Sequence, residues 1–222
     1  MNDILEKLTI CVERGKANKV SPYPPDLKGQ DGADELTAEA IKIGISPDDV
    51  LQKALVVGMS NIGQKFSEGK AFVPEMLMSA KAMKAAMVHL KPFFTSGEVK
   101  QKGTVVLGTI QGDLHDIGKN LVAMMVEGAG WKVIDLGVDV GFDKIEQILK
   151  DNPGTIVGLS ALLTTTMVNM KTVVEKVKGM DPNNIVMIGG APVTQDYCDE
   201  IGADFYSSDP QGAIEYLNKI AS

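Results

Sequence analysis

Arginine is all but missing from this 222-residue chain: Arg14 stands alone among 22 basic residues, the rest being lysine. Paired hydrogen bonds to a phosphate are what arginine does best, and the net charge of −7 points the same way. Residues 1–97 hold 12 acids against 12 bases, whereas residues 98–222 hold 17 against 10, so the whole acidic excess lies in the second half. A nucleic-acid binder built on a basic stripe is excluded. Cysteine is scarce as well. Cys11 and Cys198 lie far apart and form no CxxC, which argues against a disulfide framework and a thiolate metal site. No apolar run reaches the ~18 residues needed to span a bilayer. The N-terminus, MNDILEKL, carries acids where a signal peptide needs a basic segment and an apolar core. These absences predict a cytoplasmic protein with neither membrane nor nucleic acid as partner.

What is present divides into two halves with different periods. In the first, Ile4, Leu5, Leu8 and Val12 recur at three- and four-residue steps, the stripe of an amphipathic helix. Prolines at 22, 24 and 25 enforce a loop. A second helix spans about Ala33–Ile43 and stops at Gly44. Ser46-Pro47-Asp48-Asp49 reads as a helix start, with an N-cap serine, a first-turn proline and acids at the positive end. That helix runs to about Phe66, and a fourth runs from about Val73 to Leu90, before Pro92. Residues 1–95 are expected to form an antiparallel four-helix bundle.

A Lys/Gly-rich join, 96–103, precedes a change of pattern. Thr104-Val105-Val106-Leu107-Gly108 is a short apolar run, as in a strand buried on both faces. Helices near Ile117–Glu127, Phe142–Lys150, Thr166–Lys178, Gln195–Ile201 and Ala213–Ile220 then alternate with strands near Lys132–Leu136, Ile156–Leu159, Ile185–Ile188 and Phe205–Tyr206. Five βα units over 104–222 predict an α/β domain, a doubly wound five-stranded parallel sheet of the Rossmann or flavodoxin kind.

In such a sheet, ligands bind beyond the carboxyl ends of the strands. The first loop there reads Gln111-Gly112-Asp113-Leu114-His115-Asp116-Ile117-Gly118, and it holds one of only two histidines. Asp113 can hydrogen-bond one ring nitrogen of His115 and leave the other for a metal. Zinc needs three or four protein ligands, so a metal held by one His must bring its other ligands with it, as in haem or a corrinoid. A lone haem ligand usually sits among helices, so a parallel α/β unit favours the corrinoid. The plainer alternatives are a hydrogen-bonded surface histidine at 115 and a structural or exposed His89, which has no adjacent carboxylate in the sequence.

Asp113-x-His115-x-x-Gly118 resembles the DxHxxG element of cobalamin-binding domains. Ser160-Ala161-Leu162 follows after 41 intervening residues and resembles the family's SxL. Gly189-Gly190 follows Leu162 after 26 intervening residues, where the family has GG. The stretches Gly63–Phe66, Phe72–Ala80, Met83-Lys84 and Leu90–Phe93 resemble the helical cap that accompanies this domain in methionine synthase and in small corrinoid proteins. On these motifs the chain is identified as a member of the methyltransferase cognate corrinoid proteins.

The resemblance implies cobalamin or a related corrinoid, with His115 binding cobalt from below and Asp113 and Thr166 forming a relay behind it. The loop Gly112, Asp113, Leu114, His115, Asp116, Ile117 and Gly118 would contact the cofactor. So would Ser160, Leu162, Thr164, Gly189, Gly190 and Ala191, with the small residues lining a slot for the displaced nucleotide tail. Met76 and Met83 would face the corrinoid from the cap, or else fill the core as methionines commonly do. The implied role is carriage of a methyl group, with cobalt cycling between methyl-Co(III) and Co(I). The donor side is a substrate-specific methyltransferase and the acceptor side a second methyltransferase working on tetrahydrofolate or a thiol; a reductive activator restores the cofactor. A B12-binding subunit of an adenosylcobalamin-dependent mutase, a cobalamin-dependent sensor and a cofactor-free flavodoxin-like protein are the rival readings.

Overall fold

The computed structural model describes residues 2–221, apart from the side chains of Asn2 and Thr95; Met1 and Ser222, the outermost residues of the two expected domains, lie outside the described residues. The chain forms two compact units. One comprises residues up to Gln101 with Gly128–Gly130, the other Lys102–Glu127 and the residues from Trp131 onward.

The helical unit contains α1 (Asn2–Glu13), α2 (Ala33–Lys42), α3 (Pro47–Val50), α4 (Val56–Ser67) and α5 (Val73–Ser96); a π-helical turn, Leu51–Leu55, makes α3 and α4 one continuous rod. Four rods result, as the apolar periodicity predicts. The Ser46 hydroxyl accepts the Asp49 N–H at 3.0 Å, satisfying one of the orphan donors at a helix start. Glu35 and Glu75 do similar work by accepting the N–H groups of Gly32 (2.9 Å) and Phe72 (3.0 Å). Leu8 and Val12 of the first stripe are fully buried, together with Leu51, Leu55 and Leu90. The fourth rod does not stop before Pro92. It continues to Ser96 and ends at Gly97, whose φ is +81°. Pro92 removes only one N–H, that facing the carbonyl of Val88. Val88 is two-thirds exposed, so water reaches this face of the helix and can serve that carbonyl.

The second unit is built from β1 (Thr104–Thr109), α6 (Ile117–Gly128), β2 (Lys132–Asp135), α7 (Phe142–Asp151), β3 (Ile156–Ser160), α8 (Met167–Met180), β4 (Val186–Gly189), α9 (Gln195–Ile201), β5 (Phe205–Tyr206) and α10 (Pro210–Ile220). The sheet is parallel throughout, in the order β2-β1-β3-β4-β5. Val106, Val157, Leu159, Val186 and Ile188 point to one face and pack with Ile145 and Leu149 of α7, Val173, Val174 and Val177 of α8 and Ile201 of α9. The intervening residues Val105, Leu107, Ile156 and Met187 are also buried, so both faces are covered. α10 begins three residues earlier than its periodicity suggests, because the Asp209 carboxylate caps it by accepting the N–H groups of Gln211 (2.8 Å) and Gly212 (3.0 Å).

The chain leaves β1 towards β2 on one side and later returns to β3 on the other. The crevice beyond the carboxyl ends of β1 and β3 is therefore the topological switch point at which such sheets bind ligands. The register puts Thr109, Ser160 and Gly189 in one row across β1, β3 and β4.

Candidate functional site

The loop from β1 to α6 opens at this switch point. Asp113 is fully buried and its carboxylate is the hub. Oδ1 accepts the His115 backbone N–H at 3.0 Å and the His115 Nδ1–H at 2.8 Å. Oδ2 accepts the N–H groups of Leu162 (2.7 Å) and Leu163 (3.2 Å) and lies 3.2 Å from the Thr166 hydroxyl. Burial by itself would raise the pKa of this carboxyl. The backbone N–H of His115, that of Leu162, the imidazole and the N–H of Leu163 outweigh it and hold the group well below the usual carboxylate range. An ionised carboxylate only accepts, so the proton on the His115 ring must sit on Nδ1. The lone pair of neutral His115 is then on Nε2, on a side chain that is 53% exposed. The backbone is pinned too, since the buried Thr109 hydroxyl donates to the His115 carbonyl at 2.9 Å.

Around this imidazole the surface is unusually apolar for solvent. Leu114 and Ile117 are 72% and 74% exposed, and Leu162 and Leu163 over 40% each. The Asp113 hydrogen bonds draw the loops carrying these side chains together. A neutral, oriented nitrogen lone pair within an apolar rim suits a metal centre set in a broad organic macrocycle. Among the described residues no three His, Cys, Asp or Glu side chains are grouped to hold a metal ion.

The remaining residues expected at the site fall as follows. Gly112 (φ +86°) turns the loop. The Asp116 carboxylate accepts from the Asn120 amide at 2.9 Å, in the first turn of α6. Gly118 is exposed, with nothing within 4 Å of where a Cβ would sit. Ser160 is half-buried, Thr164 is exposed in a 3-10 turn after β3, and Ala191 is exposed beyond β4. Gly189 has room for a Cβ, the nearest atom being the Ser207 carbonyl oxygen at 3.6 Å, whereas at Gly190 a Cβ would lie 1.8 Å from the Ala161 carbonyl oxygen. Gly118 and Gly189 thus leave open space, as a ligand slot requires, and Gly190 is demanded by the fold itself. Thr166 is buried, and its hydroxyl also donates to the Leu163 carbonyl at 2.8 Å, a shorter contact than the one to Asp113. Met76 and Met83, in α5 of the helical unit, are buried. His89 pairs with a carboxylate after all, that of Asp34, at 2.5 Å; the partner comes from a different helix and so left no local signal.

Several contributors escape sequence reasoning. Lys119 looks like a helix-start residue, yet its side chain is 2% exposed and its ammonium bonds both Asp135 oxygens, at 2.6 and 2.7 Å. Asp139 and Asn169 reach the loop from after β2 and from α8, at Gly112 (2.8 Å) and the Gln111 carbonyl (2.9 Å). Nothing in the string of residues marks these pairings.

Fold and site together define a B12-binding domain. Two family models, each described as a B12 binding domain, match residues 103–214 and residues 30–91. Trimethylamine corrinoid protein 1 of Methanosarcina acetivorans is 42% identical over 192 residues, covering 85% of this chain and 88% of the relative. Dimethylamine corrinoid protein 1 of the same organism is 40% identical, over 79% and 84% of the two chains. The crystal structure of the methanol:cobalamin methyltransferase complex MtaBC from Methanosarcina barkeri superposes with a TM-score of 0.82 at 28% identity, covering 99% of this chain and 80% of that one. The chain belongs to the methyltransferase cognate corrinoid proteins, and its cofactor is cobalamin or a related corrinoid. Among the described residues no helix is long and apolar enough to cross a membrane.

Proposed function

We propose that this protein carries a methyl group on its corrinoid from a substrate-specific methyltransferase to a second methyltransferase that serves tetrahydrofolate or a thiol. The observation that carries the reading is His115: its Nδ1–H is committed to a buried, ionised Asp113, and its Nε2 lone pair stands at an apolar rim. When bound, the corrinoid supplies a cobalt that takes up a methyl group and releases it. His115 would be the protein's ligand to that metal. Asp113 fixes the ring tautomer and orientation. Leu114, Ile117, Leu162 and Leu163 offer apolar contact, and Gly118, Ser160 and Gly189 leave space beside them. Relatives named for trimethylamine and dimethylamine, at 40–42% identity, support a methylated amine as the donor. They also speak against the mutase-subunit reading, because they match most of both chains. A reductive activator belongs to the system, since reduced cobalt is lost to oxidation.

The test is ligation. In 15N-histidine-labelled protein loaded with cobalamin and reduced to Co(II), electron paramagnetic resonance is expected to show coupling to one axial 15N, distinct from the 14N of the cofactor's own base, and His115→Ala to abolish it. A His115→Ala protein that kept the coupling would remove His115 as ligand. Transfer itself is read separately, as consumption of the reduced cofactor when a methylamine-specific methyltransferase and its substrate are added.

A further inference from the structure

We propose that Asp139 is a positioning residue for the cobalt ligand, acting through the backbone of the loop that carries His115. The inference rests on the reading of His115 just given.

Asp139 is the one non-glycine residue with positive φ, +54°, among the described residues. L-residues enter this left-handed region at a cost, and such strain persists only where the surroundings over-determine it. They do so here. Val140, the next residue, is fully buried, bridges Ile110 and donates its N–H to the Thr109 carbonyl at 2.9 Å. On the other side the Gly137 carbonyl accepts the Thr109 N–H at 3.0 Å. Held this way, Asp139 grips the neighbouring loop twice. Its carboxylate accepts the Gly112 N–H at 2.8 Å, and its own N–H donates to the Asp113 carbonyl at 3.1 Å. Gly112, at φ +86°, has the least restricted backbone in that loop, and the carboxylate removes the freedom the glycine introduces. The two bonds hold the peptide units that lead into Gly112 and out of Asp113, and so fix the segment from which the imidazole is oriented. Asp135, the last residue of β2, accepts from Lys119 beyond His115, so the histidine lies between two anchors in sequence.

The experiment compares Asp139→Ala, Asp139→Asn and Asp139→Gly with wild type, using hydroxocobalamin affinity and, in 15N-histidine-labelled protein, the fraction of Co(II) protein showing axial 15N coupling. Groups that orient a metal-bound histidine are typically worth about 10- to 100-fold in metal affinity. Asp139→Ala is therefore expected to bind about tenfold or more weakly and to show a reduced nitrogen-coupled fraction. Asp139→Asn keeps an acceptor oxygen and tolerates the left-handed region, so it is expected to restore both readings. Asp139→Gly relieves the backbone but lacks the acceptor and is expected to resemble Asp139→Ala. Wild-type affinity and coupling in Asp139→Ala would overturn the proposal. Should that variant fail to fold, Asp139→Gly decides in its place, with wild-type values again overturning it. His115→Ala separates the two levels: coupling that survives there defeats the ligand reading itself, whatever Asp139 does.

Discussion

Asp113→Asn is expected to lose axial coupling to 15N-labelled histidine and to destabilise the α/β unit by about 3 kcal/mol, a drop of roughly 10 °C in melting temperature. The substitution is isosteric, and the reason for so large an effect is donor count. Oδ1 faces two donors from His115, and Oδ2 faces the N–H groups of Leu162 and Leu163. An asparagine amide has one accepting and one donating end, so either orientation sets an NH₂ against two N–H groups in a fully buried place. Thr166→Val is a far milder change, because the two backbone donors at Oδ2 remain.

The same carboxylate sets a pH dependence. Its pKa is held below the ordinary 3.8 in the folded state, so its contribution is fully present above that value and is lost as the pH falls towards the folded pKa. The stability gap between wild type and Asp113→Asn, measured by urea unfolding, is expected to stay level above about pH 5 and to shrink below about pH 4. A gap that widened on acidification would contradict an ionised Asp113.

Gly190→Ala is expected to cost about 3–5 kcal/mol, enough to leave little folded protein. Gly190 has φ +128°, where L-residues rarely go, and a Cβ there meets the Ala161 carbonyl oxygen, a backbone atom that cannot swing aside. Gly118→Ala should behave in the opposite way. Its Cβ enters open space on α6, and alanine improves on glycine in a helix by up to about 1 kcal/mol. Thermal unfolding of the protein without cofactor is expected to shift slightly upward, while corrinoid affinity falls if the cofactor uses that space. Equal affinity would show that nothing of the cofactor passes Gly118.

His115, Asp113 and their spacing are legible because the motif is local: one residue separates the carboxylate-bearing position from the histidine, and the carboxylate reaches both the ring and the backbone N–H. The serine and the glycine pair are legible through their positions at the carboxyl ends of strands. Asp139, Lys119 with Asp135, and Thr109 are not, since each acts on residues from another βα unit or through a backbone group that carries no sequence signal. His89 shows the same blindness in the helical unit, where its carboxylate lies 55 residues away.

Periodicity determines the helices and strands by itself, because burying one face of a helix or both faces of a strand demands apolar side chains at fixed intervals. The local order of residues determines the histidine loop, whose motif is packed into six consecutive residues. Strand order is decided only in three dimensions, for no local interval tells β1 that it will lie between β2 and β3. That placement creates the crevice and aligns Thr109 with Ser160. It also turns Asp113 from an isolated acid into a carboxylate satisfied from two loops, because hydrogen bonds between distant segments exist only once the sheet has brought them together.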